Sequence, residues 1–257
     1  MALVLYNGRE LIWRLFLRDF SSRYRQSLFG FLWALVNPLA TMGIFLFLNR
    51  SGIFSVGEIS VPYPVFALSG LSLYGIFSTG LSAGAASIVN GGPMIVKVNM
   101  PKIALVFAAA GQALVEFIIR LFLLIILFLI YGIIPGWGAV FFPLAVIPVL
   151  LLTLALALPF SILAGVFRDI IHFLPAFTTL FLFLLPVLYP PPEAGLMALM
   201  NRYNPLSHLI TGARDILISG VFSNPQAFLW SSLFALLFFL FSWRLFFLSE
   251  SKIAERI

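Results

Sequence analysis

The chain has 257 residues, 62% of them hydrophobic and 9% charged, with a net charge of +6 and no cysteine. Apolar runs of this extent exceed the needs of a soluble core helix and mark a polytopic helical membrane protein, read as one membrane domain over 1–257. Missing cysteines exclude disulfides, thiolate zinc sites and a cysteine nucleophile, and basic residues placed between apolar runs fit bilayer orientation rather than nucleic-acid binding.

The first nine residues carry no cleavable signal pattern, so membrane targeting is expected from the spans themselves. Residues 9–27 then predict an amphipathic interface helix. At about 100° per residue, Arg14, Arg18 and Arg25 share one stripe, whereas Ile12, Trp13, Phe16, Phe20 and Tyr24 gather on the other side. Anchoring a first span asks only for charge beside it. Ordered faces over a long Pro-free stretch point to a lasting contact with lipid or protein.

Six apolar stretches follow, at 28–49, 62–88, 104–134, 139–164, 170–189 and 227–248, each near or above the about 20 residues that a bilayer core demands. With both termini cytoplasmic, Arg9, Arg14, Arg18, Arg23, Arg25, Lys97, Lys102, Arg168, Arg244, Lys252 and Arg256 lie inside, and Arg50, Arg202 and Arg214 outside. Eleven against three sets the orientation. The loop after the second stretch, Asn90 to Lys102, opens with Asn and Gly, places Pro93 at a helix start and closes at Pro101. A short cytoplasmic helix with exposed Met94, Ile95 and Val96 implies a protein partner, although Gly and Pro also punctuate ordinary loops.

The outer segment 190–226 is too long and too apolar for a plain connector. Pro190 to Pro192 are expected to stop the fifth span, with short helices at Glu193–Asn201 and Pro205–Ser219 dipping into the outer interface as a gate or as packing over the bundle. Glu116 and Arg120 are opposite charges four apart inside an apolar run, acid first, on one helix face. Such a pair either fixes helix packing or has a role in transport. Arg168 and Asp169 occupy the inner turn between spans four and five. No phosphate loop surrounds Lys97, Lys102 or Lys252, His172 and His208 lack ligand-spaced partners, and no catalytic constellation is visible. The expectation is a protein without enzymatic activity or a metal site.

The run Arg18-Asp19-Phe20, Arg23-Tyr24-Arg25-Gln26-Ser27, Gly30, Trp33 and Pro38 resembles the N-terminal signature of membrane subunits of type-two ABC exporters of polysaccharides and polyol phosphates. The loop around Asn90, Lys97 and Pro101-Lys102, the turn Phe167 to Ile170, and Asn204-Pro205 followed by Arg214 look like later landmarks of that family. Within it, the chain is most similar to O-antigen (Wzm-type) permeases. The resemblance implies an all-α fold of six transmembrane helices, an N-terminal interface helix, a cytoplasmic coupling helix and two short outer re-entrant helices. It also implies a homodimer in the bacterial inner membrane, docked on a pair of nucleotide-binding subunits that hold ATP and Mg, moving a polysaccharide on undecaprenyl diphosphate. Arg14, Arg18, Arg23 and Arg25 would face lipid diphosphate, since guanidinium forks onto phosphate oxygens. Pro93, Met94, Ile95, Val96, Lys97 and Asn99 would couple to the ATPase, and Asn204, Pro205 and Arg214 would belong to the outer gate. Spans one and five would line an aromatic passage along the dimer axis. Permeases for capsule, teichoic acid, drugs or lipids share these landmarks. A membrane enzyme of glycan assembly or a proton-coupled carrier resting on Glu116 are readings of other classes.

Overall fold

The computed structural model describes residues 2–24, 32–51, 59–92 and 101–253. Among them the chain is all helical: α1 (Ala2–Tyr24), α2 (Leu32–Arg50), α3 (Tyr63–Asn90), α4 (Ile103–Tyr131), a 3-10 turn (Trp137–Phe141) running into α5 (Phe142–Val166), α6 (Ile170–Leu184), α7 (Gly195–Tyr203), α8 (Pro205–Ile218) and α9 (Pro225–Ile253). The ends follow local chemistry. Gly132, at φ +64°, closes α4 in the left-handed conformation that glycine adopts without steric cost. Asn204 caps α8, its side chain accepting from the Leu206 N–H at 3.0 Å, while Pro205 supplies a first-turn residue with no N–H to satisfy.

Each of the six apolar stretches holds a helix among its described residues. Four segments are long and apolar enough to cross a membrane: α3, α4, Trp137–Val166 and Pro225–Ser249. The apolar parts of α2 and α6, Leu35–Leu48 and Ile170–Leu184, are shorter. The fifth stretch ends early, at Leu184 rather than at Tyr189 before the Pro190 run. Pro186 is the reason, because it lacks an N–H and drives Leu185 into extended backbone at φ −100°, ψ 151°.

The core is organised around α3. Over its most apolar window 83% of residues are buried, against 33–39% in the other three long helices, so α3 is the central column and they face outward on one side. Small residues let its neighbours approach closely. A Cβ at Gly80 would lie 2.8 Å from Thr153 Cγ2 of α5, and one at Gly84 would lie 2.8 Å from the Ala157 Cβ of α5 and 3.6 Å from the Ala110 Cβ of α4.

The two outer helices differ. On α7, Leu199 (54%) is exposed, as are Met197 and Met200. On α8, Leu206, Leu209, Ile210, Ala213 and Ile216 are buried in the bundle. Arg214 is also buried, its Nη1 donating to the Val187 carbonyl and Nη2 to the Pro186 carbonyl at 3.1 Å each, with its Cζ 3.8 Å from the Phe66 ring centroid. It thus satisfies backbone oxygens stranded by the break after α6. Burial lowers its pKa to about 10, which leaves it cationic at neutral pH. Arg214 thereby ties α8 to the segment that follows α6.

Gly84→Leu is expected to cost at least about 1–3 kcal/mol through overpacking, lowering the thermal unfolding midpoint of the detergent-solubilised chain. Gly165→Leu, where an added Cβ meets nothing within 4 Å, should leave it unchanged.

Candidate functional site

A cavity of about 1190 Å³ lies between α1, α2, α3, α4 and α6. Its wall is polar for a chain this apolar: Arg18 and Asp19 from α1, Asn37 and Thr41 from α2, Ser78, Thr79, Ser82, Ser87 and Asn90 from α3, Gln112, Glu116 and Arg120 from α4, and Thr178 and Thr179 from α6.

Gln112, Glu116 and Arg120 stand four apart and so share one stripe of α4. Arg120 Nη2 donates to Glu116 Oε2 at 2.9 Å, and the Thr79 hydroxyl of α3 donates to the same oxygen at 3.3 Å. At a helical rise of about 1.5 Å per residue, Arg120 sits roughly 25 Å along α4 from Ile103, and the pair is buried in the bundle. Pairing and further hydrogen bonding make such burial tolerable, since an isolated charge there would be costly. Gly75 gives the arginine its place, because a Cβ at that position would overlap the guanidinium.

Near the start of α4, α1 docks on it. Leu15 is buried against Ala104, Leu105 and Ala108, and Gln112 Nε2 donates to the Phe16 carbonyl at 3.0 Å. The seam of α1 therefore centres on Leu15 and Phe16, whereas Trp13 is 58% exposed and stacks on Phe16. Arg18 pairs with Asp19 at 2.7 Å on the cavity rim. Arg14 is exposed, pairs with Glu10 at 2.6 Å and lies outside the cavity lining. Arg25 and the segment Pro93, Met94, Ile95, Val96, Lys97 and Asn99 lie outside the described residues, as does the Arg23 side chain.

Arg168 and Asp169 are exposed on the turn before α6, with no ion pair between them among the described residues. Asn204, Pro205 and Arg214 border α8, away from the cavity; a smaller cavity of about 390 Å³ there is lined by Glu193, Asn201, Arg202, Ser207 and His208. Aromatic residues are nearly absent from the described wall of the large cavity. Tyr74, whose hydroxyl donates to the Thr178 carbonyl, is the one aromatic among the described lining residues of the large cavity. Phe173, Phe177 and Phe181 stack along another stripe of α6, with centroids 5.7 and 5.2 Å apart.

Sequence reasoning isolated Glu116 and Arg120 but not Thr79, Gly75, Gln112 or Leu15. Gln112 carried a signal, as an amide within an apolar run four residues before Glu116. The partners on α3 carried none, because serine, threonine and glycine are spread along that helix.

The sequence matches the ABC-2 type transporter family over residues 10–218. It is 33% identical over 216 residues to the O-antigen export system permease protein RfbA of Myxococcus xanthus, covering 82% of each chain. It is 26% identical over 211 residues to a Klebsiella pneumoniae protein of the same name, covering 79% of this chain and 78% of that one.

Breaking the buried pair on one side only, by Arg120→Met or Glu116→Gln, should destabilise the protein by about 3–5 kcal/mol. The double variant should recover most of the loss, as read by thermal unfolding in detergent through a double-mutant cycle.

Proposed function

The chain belongs to the ABC-2 type transporter family, and from that membership we propose that it exports a lipid-linked polysaccharide of the O-antigen kind across the bacterial inner membrane. It is a transporter membrane subunit and not an enzyme, and its family implies an ATPase partner. In this reading ATP and Mg are bound by that partner, and two copies of the chain form the passage. All six apolar helices cross, with the termini inside and α7 and α8 at the outer mouth.

The observation that carries the reading is the polar cavity. It exceeds the about 300–1,000 Å³ of drug-sized sites, and its α2 and α6 walls belong to helices with large exposed apolar residues. Ile44 (60%), Phe47 (68%) and Leu180 (69%) are among them. A second copy facing these helices would enclose a continuous path that six helices alone leave open. The stacked phenylalanines of α6 would then lie near the join.

Arg14, Arg18, Arg23 and Arg25 on the inner surface are proposed to receive the lipid diphosphate, a task suited to guanidinium groups. Pro93, Met94, Ile95, Val96, Lys97 and Asn99 are proposed to meet the ATPase. Arg168 and Asp169 share that inner side.

Purification from native membranes should yield two copies of the chain with two of a nucleotide-binding protein and measurable ATPase activity. A chain recovered without any ATPase would overturn the proposal. Replacing Met94, Ile95 and Val96 with Asp should abolish export while membrane insertion, followed by fractionation, stays intact.

A further inference from the structure

We infer that the large cavity is matched to an uncharged, polyhydroxylated chain and discriminates against polyanionic ones; the inference rests on the export reading. Its wall carries two cations among the described lining residues, and each has a carboxylate beside it: Arg18 with Asp19 at 2.7 Å and Arg120 with Glu116 at 2.9 Å. The described wall is therefore electrically balanced, with Asp19 and Glu116 its only acids.

The rest of its polarity comes from hydroxyls and amides. These groups donate and accept at once, as sugar hydroxyls do, so the two surfaces can exchange hydrogen bonds in either sense. Ser78 and Ser82 are half-buried on the cavity wall, and their hydroxyls have no partner among the described residues. Thr178 and Thr179 donate to the Pro175 carbonyl, which leaves their oxygen lone pairs as acceptors.

A chain bearing a phosphate or carboxylate on every repeat meets a different balance. Each charge gives up bulk water on entering a membrane-embedded cavity, and beyond the exposed Arg18 the wall offers only Arg120, whose pairing with Glu116 returns little of that loss. A path for such a polymer would need cations in excess along the wall. A neutral glycan requires only the dual donors and acceptors already in place.

The test uses the complete exporter, with its ATPase, in proteoliposomes. Two lipid-linked probes are supplied, a neutral hexose homopolymer and a matched chain with one uronic acid per repeat, and transport is read as the fraction reaching the far side. Both share the same lipid diphosphate, so the ratio reports the glycan alone. Wild type should move the neutral chain about tenfold faster, a ratio within reach of one poorly compensated charge. Ser82→Lys and Thr179→Lys, which each add a cation to the wall, should narrow that ratio to about threefold or less, whereas Ser82→Gln and Thr179→Gln should leave it unchanged. Because each ratio is taken within one variant, impaired folding lowers both arms alike. Equal transport of the two probes by wild type, or an unchanged ratio in both lysine variants, overturns the inference and leaves the export reading standing. Transport of neither probe by an exporter with active ATPase overturns both.

Discussion

A charge buried in an apolar bundle needs close-fitting partners, and α3 gives up side-chain volume to make room for them. Two arginines on other helices reach it: Arg120 of α4 fits against Gly75, and Arg214 of α8 fits beside Gly70 and over Phe66. A Cβ at Gly70 would overlap the Val187 carbonyl, the same oxygen that Arg214 holds. Gly80 and Gly84 continue the pattern toward the inner end, where they admit α4 and α5 at close range. The glycines of α3 are thus less a source of flexibility than a set of seats. Close approach supplies van der Waals contact where lipid removes the hydrophobic drive between helices.

From this column, α4 links α1 to the far end of the cavity. One part of its first half holds α1 through Ala104, Leu105 and Ala108. Its polar stripe then runs from Gln112, bonded to the Phe16 carbonyl, to Glu116 and Arg120 beside α3. A displacement of α1 therefore has to strain the Gln112 bond and the Leu15 contact or carry α4 with it. Close-packed cores transmit such strain rather than absorb it. A force applied to α1 therefore reaches the cavity wall through α4.

Helix positions were legible because apolar runs and proline punctuation are local signals. Five of the six stretches match their helices to within a few residues, and Pro205 after Asn204 marked the start of α8. The fifth was misjudged because three consecutive prolines at 190–192 outweighed Pro186, although one proline suffices to end a helix. The candidate site was half legible. Glu116 and Arg120 stood out as charges in an apolar run, but Thr79 and Gly75 are distant in sequence and ordinary in type. The partners of Arg214 are backbone carbonyls at Pro186 and Val187, which no side-chain pattern announces.

The buried pair also bears on the alternatives. A carrier driven by protons needs a carboxylate that can gain and lose one during its cycle. Glu116 instead is held in place by hydrogen bonds from Arg120 and Thr79. An enzyme would require acids converging on one point, whereas Asp19 stands at the rim and Glu116 at the deep end of the same cavity. An apolar pair at 116 and 120 would cost less to bury, but it would put hydrocarbon where the cavity is deepest, and apolar cavities stay dry. The charged pair, neutral as a unit, leaves polar groups at that end without fixing a net charge there. That combination serves a passage for hydrated chains better than it serves a relay or a catalytic centre.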